Sequence, residues 1–269
     1  MDSQRAGGIP RSVGEADDAH ARTVSVISVA LNAERTIRRT IESVLGQTSP
    51  PAEYIVVDGG SRDRTVEIAR EYGNAITTIL SGPDDGIYDG MNRGLAVSRG
   101  TIVGFLNAND AYAHRDVIGS IQRTFSNPRL DACYGNLDFV SRTGRIMRRW
   151  RSSVYEPGLL RSGWVPPHPT FYCRRSVLVG IGGFKKHYRI AGDYELLLRL
   201  LAIHKIRVEY IPEVLVNMEA GGVSNGTLRN ILSANREVVQ AWRENGLPPP
   251  RLIGIRKPVA KIAQLRFSR

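Results

Sequence analysis

The patterned part of the chain begins with a run of small and β-branched apolar residues, TVSVISVAL from Thr23 to Leu31. A run of that kind suits a strand buried on both faces, as in a parallel sheet covered by helices. A helix is predicted from Asn32 through Gly46, with Ile37, Ile41, Val44 and Leu45 on one side, and Pro50-Pro51 ends the unit. The alternation then repeats. Strands are predicted over Glu53 to Val57, Ala75 to Leu80 and Thr101 to Leu106, and helices over Arg64 to Tyr72, Ile87 to Ser98 and Asp116 to Phe125. Ser61 and Asp63 suit the cap and first turn of the second helix, and Gly100 suits a stop after the third. Strand alternating with helix through residue 126 predicts an α/β fold with a mostly parallel central sheet and helices on both faces.

The second half is less regular. A hairpin is predicted from Asp131 to Val140 and Arg145 to Trp150, turning at Arg142-Thr143-Gly144, and a short strand from Thr170 to Cys173 follows VPPHP. A helix over Gly192 to Ile203 precedes strands at Arg207 to Ile211 and Val214 to Met218. Beyond Gly221-Gly222 a last helix runs from Thr227 to Asn245, and Leu247 to Pro250 forms a stiff spacer. The expected organisation is a tail over 1–22, a wound half over 23–126, a mixed half over 127–225 and a basic helical extension over 226–269.

Composition narrows the class. With 42% hydrophobic and 23% charged residues, the chain reads as soluble and globular. No run approaches the roughly 18 apolar residues of a membrane span. The tail lacks an apolar signal-peptide core, which suggests the cytoplasm. Cys133 and Cys173 have no metal-ligand spacing and read as buried thiols. The net charge of +11 calls for an anionic partner. Five arginines and no acid fall between Arg142 and Arg151, and nine basic residues face two acidic ones from Gly226 onward. No recognition helix, zinc finger or aromatic RNA-binding signature accompanies this charge, so nucleic acid is not the expected partner. A phosphate-bearing substrate or an anionic membrane surface explains it equally well.

Polar residues sit at three predicted strand ends: Asn32 with Glu34, Asp58, and the tip Asn107-Ala108-Asn109-Asp110. In a wound sheet those ends share one edge, where such folds place their ligands. Carboxylate and amide oxygens at such an edge suit a base N–H, a ribose hydroxyl and a hard divalent cation.

Three segments, VSVISVALNAERTIRRTIESVLGQT, EYIVVDGGSRDRT and DDGIYDGMNRGLAVSRGTIVGFLNAND, together with the later GGFKKHYRIAGDYELLLRL, resemble in order and spacing the blocks of the inverting nucleotide-sugar glycosyltransferases of the large bacterial family 2. The branch they resemble builds exopolysaccharide and other surface glycans, and the similarity spans Thr23 to Ser224. The resemblance implies a GT-A, Rossmann-like fold with a smaller mixed acceptor-side region and a helical C-terminus. It also implies transfer of a sugar from a nucleoside diphosphate, UDP favoured, to a glycan or polyprenyl-linked acceptor, with Mg²⁺ or Mn²⁺ as cofactor. The rival expectations are a polyprenyl-phosphate glycosyltransferase and a non-catalytic nucleotide-sugar-binding subunit of a polysaccharide synthase.

Residue by residue, the resemblance implies that Ala30, Asn32 and Glu34 line the nucleotide pocket and that Asp58 bonds the nucleobase. Asp85, Asn92 and Gly94 would pass under the ribose and phosphates, beside Asn109. Asp110 matches the last residue of the metal motif, and Asp193 the catalytic base. Asn109 stands where a second carboxylate is usual, leaving Asp110 as the one anionic protein ligand of the tip. Plainer readings stay open: a first-turn helix acid for Glu34, a turn residue for Asp58, a solvated amide for Asn92 and a helix N-terminal acid for Asp193. His168 and Arg174 are candidates for the diphosphate, with Arg175 beside them. Glu195 and Trp164 are candidates for the acceptor. The basic, amphipathic segment Arg256 to Arg269 suits an anionic membrane surface, which would place the protein peripherally at the inner face of the plasma membrane.

Overall fold

A computed structural model describes residues 22–219 and 228–250. The segment 256–269 and nearly all of the tail 1–22 lie outside the described residues. The first strand, β1 (Val24–Ala30), is buried along its whole length. It pairs in parallel with β2 (Glu53–Asp58) and with β4 (Ile102–Phe105), and β2 pairs in parallel with β3 (Thr78–Ser81). Because strand side chains alternate, Val24 and Val26 enter one core while Ile27 and Val29 enter the other.

Helix α1 (Ile37–Leu45) buries Ile37, Thr40, Ile41 and Val44, one face at helical spacing. After α2 (Thr65–Arg70), α3 (Ile87–Val97) packs on the other side of the sheet. Gly90 and Gly94 permit its close approach. A Cβ at Gly94 would stand 2.4 Å from Ile27 Cγ2, and one at Gly90 would stand 2.8 Å from Val29 Cγ1.

Next along the chain come β5 (Asp110–Tyr112), α4 (Val117–Thr124), β6 (Ala132–Val140), β7 (Ile146–Trp150), β8 (Tyr172–Arg174) and α5 (Arg175–Gly180). Helix α6 (Gly192–Leu198) runs into a single π turn, Arg199–Ile203, before β9 (Val208–Glu219) and α7 (Leu228–Glu244). The sheet order is β3-β2-β1-β4-β8-β6-β9-β5, with β7 paired to β6. Parallel pairing holds for the first four strands. The remainder is mixed, since β8 is antiparallel to both β4 and β6, whereas β6 and β9 are parallel. This is the α/β arrangement the sequence predicts, a parallel half continued by a mixed one.

Four local expectations change. The first helix begins at Ile37 rather than Asn32, because Asn32 adopts φ 49 and the chain turns before it coils. The two strands expected around Pro212 are one strand. Its partners jump from Tyr134↔Tyr210 to Asn136↔Val214, a bulge that accommodates the missing N–H of Pro212. The polar tip does not remain a loop, since Asp110 begins β5 against Met218 of β9. The third strand begins at Thr78 rather than Ala75, because Gly73–Ala75 forms a 3₁₀ turn. No helix among the described residues is long and apolar enough to cross a membrane.

Candidate active site

The parallel pairing sets Ala30 level with Asp58 at one sheet edge. Asp58 is buried, and its carboxylate accepts the N–H groups of Gly60 (3.1 Å) and Ser61 (3.1 Å) and the Ser81 hydroxyl (2.9 Å). It thereby shapes the β2–α2 loop and ties it to β3. The Asn32 N–H donates to Ser61 Oγ at 2.8 Å, and its side-chain oxygen accepts the Arg62 N–H at 2.9 Å. Glu34 accepts the Arg64 N–H at 3.2 Å, and the Glu34 N–H donates to Asp63 at 3.1 Å. Two strand-end loops are laced together through the residues singled out from sequence. Asn32, Glu34, Arg35, Arg39, Arg142 and Glu219 are among those lining a groove of about 440 Å³ beside them.

At the start of α3 the two neighbouring aspartates face different ways. The Asp85 side chain is 79% exposed and lies 3.4 Å from Lys186. Its neighbour Asp84 is the residue turned toward the strand ends. Asp84 Oδ2 lies 2.7 Å from where a Cβ on Gly59 would stand and 3.1 Å from one on Gly90. The sequence reading passed over Asp84, although the two glycines that make room for it were visible. Asn92 spends its amide on the protein: its Nδ2 donates to the Phe184 carbonyl at 2.8 Å, and its Oδ1 accepts the Phe184 N–H at 2.9 Å. Gly94 faces Ile27 and Val57, so its role is close helix–sheet packing.

Among the described residues, the tip after β4 carries two of the three buried side-chain polar atoms that lack a hydrogen bond, the third being Ser152 Oγ. Asn107 Oδ1 and Asp110 Oδ1 are both buried without a hydrogen bond, an arrangement that is costly unless a ligand satisfies them. Burial pushes the Asp110 carboxyl up to about 7, with the Arg39 charge opposing the rise. Asn109 is exposed, and its carbonyl accepts the Glu219 N–H at 3.2 Å. Among the described residues no three His, Cys, Asp or Glu side chains cluster as a metal cage. The donor set present, one carboxylate with neighbouring amide oxygens, fits a hard cation that takes its other ligands from a diphosphate and water.

Asp193 stands half-buried in the first turn of α6, with Oδ1 accepting the Tyr194 N–H at 2.7 Å. Gly192 lets this turn lie against Tyr88, since a Cβ there would meet the ring at 2.7 Å. Burial first, and then the Asp193 charge, drives the Tyr88 phenol above its ordinary range, so it stays protonated. His168 is buried, stacked on Phe105 (5.8 Å) and edge-on to Phe184 (5.6 Å). Burial holds its pKa below the usual value while the Asp193 charge pulls the other way, so the imidazole is neutral near pH 7. Phe105 is the last residue of β4, two before Asn107. From the tip end of β4, Phe105 thus leads through His168, Phe184 and Tyr88, in ring contact with one another, to the turn that carries Asp193.

Four other candidate residues make their contacts with the protein itself. Glu195 is fully buried, bonded to Arg199 at 2.9 Å and 3.0 Å, to Lys185 at 3.1 Å and to Asn245 at 3.1 Å. Burial alone would raise its pKa, and the hydrogen bonds from Arg199 and Asn245 outweigh it and hold the carboxylate charged. It fastens α6 and does not face an acceptor. Arg174 donates to the carbonyls of Leu130 (2.7 Å) and Pro128 (3.3 Å), and Arg175 to Ser98 (3.3 Å), so neither points to a diphosphate. Trp164 is half-buried, stacked on Tyr155 and edge-on to Tyr134, both at 5.8 Å.

A parallel half continued by a mixed one, with a polar strand edge and helices on both faces, is a GT-A-like fold. The chain belongs to glycosyl transferase family 2, whose family model matches residues 25–189. It is 29% identical over 206 residues to a PGL/p-HBAD biosynthesis glycosyltransferase of Mycobacterium bovis, covering 75% of this chain and 78% of that one. Among solved structures it is similar to the mannosyltransferase PcManGT of Pyrobaculum calidifontis in complex with GDP-Man and Mn²⁺, at 19% identity and TM-score 0.61, over 90% of this chain and 72% of that one. It is also similar to residues 1–349 of S. aureus TarS in complex with UDP-GlcNAc, at 16% identity and TM-score 0.61, over 81% and 66%.

Proposed function

We propose that this glycosyltransferase inverts the anomeric carbon as it moves a sugar from a nucleoside diphosphate, UDP favoured, to a glycan or lipid-linked oligosaccharide in surface polysaccharide synthesis. The observation that carries the reading is that Asp193 acts electrostatically on His168, which stacks on Phe105 at the end of β4, two residues before a tip where Asn107 and Asp110 each hold an unpartnered buried oxygen. Residues 23–126 supply the donor side, through Ala30, Asn32, Asp58 and Asp84, and residues 127–225 supply the acceptor side. An acceptor hydroxyl is a poor nucleophile near pH 7, so Asp193 takes its proton as the hydroxyl attacks. Tyr88, held protonated, packs against the turn that carries that carboxylate, and His168 lies within its electrostatic reach. Asp110, with the Asn107 and Asn109 amides, would hold a divalent cation, Mg²⁺ or Mn²⁺, which supplies Lewis-acid neutralisation of the departing diphosphate. The solved neighbours bound to UDP-GlcNAc and to GDP-Man with Mn²⁺ support a donor and a metal of this kind. A lipid-linked acceptor would bring the enzyme peripherally to the inner face of the membrane.

The test is a thermal-shift screen of UDP-, GDP- and dTDP-sugars with Mn²⁺, followed by the anomeric configuration of the transferred sugar by NMR. A nucleotide-sugar that stabilises the chain by several degrees and a product of inverted configuration are expected. Stabilisation by none of the donors, or a retained configuration, contradicts the reading.

A further inference from the structure

Asp193 needs a fixed position, yet the segment before it, residues 181–191, carries two left-handed glycines, Gly182 (φ 81) and Gly183 (φ 64), and no regular structure. Ala191, at the N-cap position of α6, contributes no side-chain cap. The cap comes instead from the C-terminal helix. Glu237 of α7 accepts three consecutive backbone N–H groups, those of Arg189 (3.2 Å), Ile190 (2.9 Å) and Ala191 (2.7 Å).

About two helical turns further on, α7 contacts the same region again. Trp242 Nε1 donates to the Tyr194 hydroxyl at 2.8 Å, and Glu244 takes Lys185 (3.2 Å), His187 (3.1 Å) and the Tyr188 hydroxyl (3.0 Å). Asn245 reaches Glu195 at 3.1 Å. The sequence has just two acidic residues from Gly226 onward, Glu237 and Glu244. In a strongly basic extension, both are spent on residues 185–191.

We propose that Glu237 is a positioning residue for sugar transfer, holding the backbone of 189–191 so that Asp193 stands at the reacting hydroxyl. This rests on the reading of Asp193 as the base. A carboxylate gripping three amide N–H groups makes charge-assisted bonds, which are shorter and stronger than neutral ones. It holds the peptide two residues before Asp193, and its charge also reaches Tyr88. Displacing a reacting group by about 1 Å lowers turnover by up to roughly a hundredfold while binding of the donor, made elsewhere, is spared.

The experiment compares wild type, Glu237→Ala and Glu237→Gln in the full chain by three measurements. These are hydrogen exchange of amides 189–191, UDP affinity with Mn²⁺ by calorimetry, and kcat and KM for whichever of UDP-glucose, UDP-GlcNAc or GDP-mannose the wild type turns over. For Glu237→Ala, exchange at 189–191 should accelerate at least about tenfold and kcat fall about tenfold, with KM and UDP affinity within about twofold. Glu237→Gln keeps one acceptor oxygen and should fall between, with kcat down about threefold. A kcat within about twofold of wild type despite faster exchange overturns the proposal, as does a loss of UDP affinity in proportion to kcat. If Glu237→Ala does not fold, Glu237→Gln decides: unchanged exchange and kcat overturn it. Asp193→Asn is run alongside. If that variant keeps full turnover, the assignment of the base is what fails, while exchange at 189–191 still reads the clamp on its own.

Discussion

Asp110 is an ionisable group placed where ionisation is costly, and replacing it with asparagine isolates that cost. Burial raises its pKa from 3.8 to about 7. Between those values the folded protein holds a proton that the unfolded chain has released. The carboxyl therefore penalises folding least below its unfolded pKa, increasingly as pH rises through the window, and by a constant amount above about 7. At roughly 1.4 kcal/mol per unit, the full penalty is about 4 kcal/mol. Urea denaturation of wild type and Asp110→Asn in EDTA, at about pH 5 and about pH 8, isolates the effect because other titrations cancel in the difference. Asp110→Asn should gain on wild type by about 2–3 kcal/mol between those two conditions. Adding Mn²⁺ with UDP at about 100 times its Kd should then return about 2.7 kcal/mol to wild type at the higher pH, and little to the variant. A difference between the two proteins that does not change with pH refutes the claim that burial, more than its partners, sets the ionisation of this carboxyl.

The remaining predictions concern residues whose roles the structure reassigns. Glu195→Ala strands the buried Arg199 guanidinium and should cost about 3–5 kcal/mol in denaturant titrations. Gly94→Ala drives a Cβ into Ile27 and should cost about 1–3 kcal/mol, while UDP affinity at saturating Mn²⁺ stays within about twofold. Arg174→Ala removes two bonds to carbonyls far from the cleft. It should lower stability by about 1–2 kcal/mol and leave kcat within about twofold, against a diphosphate role that would cost far more.

The parts of the fold legible in the sequence were those governed by local pattern. Buried runs such as VSVISVA and EYIVVD need only their own side chains to specify a strand, and Ile37, Ile41 and Val44 need only helical spacing. What escaped depends on partners distant along the chain. Nothing near Asn92 announces that its amide meets Phe184, 92 positions later, or that Glu195 is closed by Asn245. β5 is three residues long and exists because β9 lies beside it. Pro212 reads as a break until β6 supplies the ladder that absorbs it as a bulge. Among site residues, Asp84 was distinguishable from Asp85 through Gly59 and Gly90. Tyr88, by contrast, becomes visible only when Gly192 is seen against its ring.

The account turns on Asp193 as the group that takes the acceptor's proton, and Asp193→Asn tests it most directly. The change keeps size and the oxygen that accepts the Tyr194 N–H while removing the base. Turnover of the donor identified by screening, and UDP binding with Mn²⁺, are measured on the same preparation. The account predicts a loss of kcat of at least about a hundredfold with UDP affinity within about twofold of wild type. Full transfer activity in Asp193→Asn contradicts it.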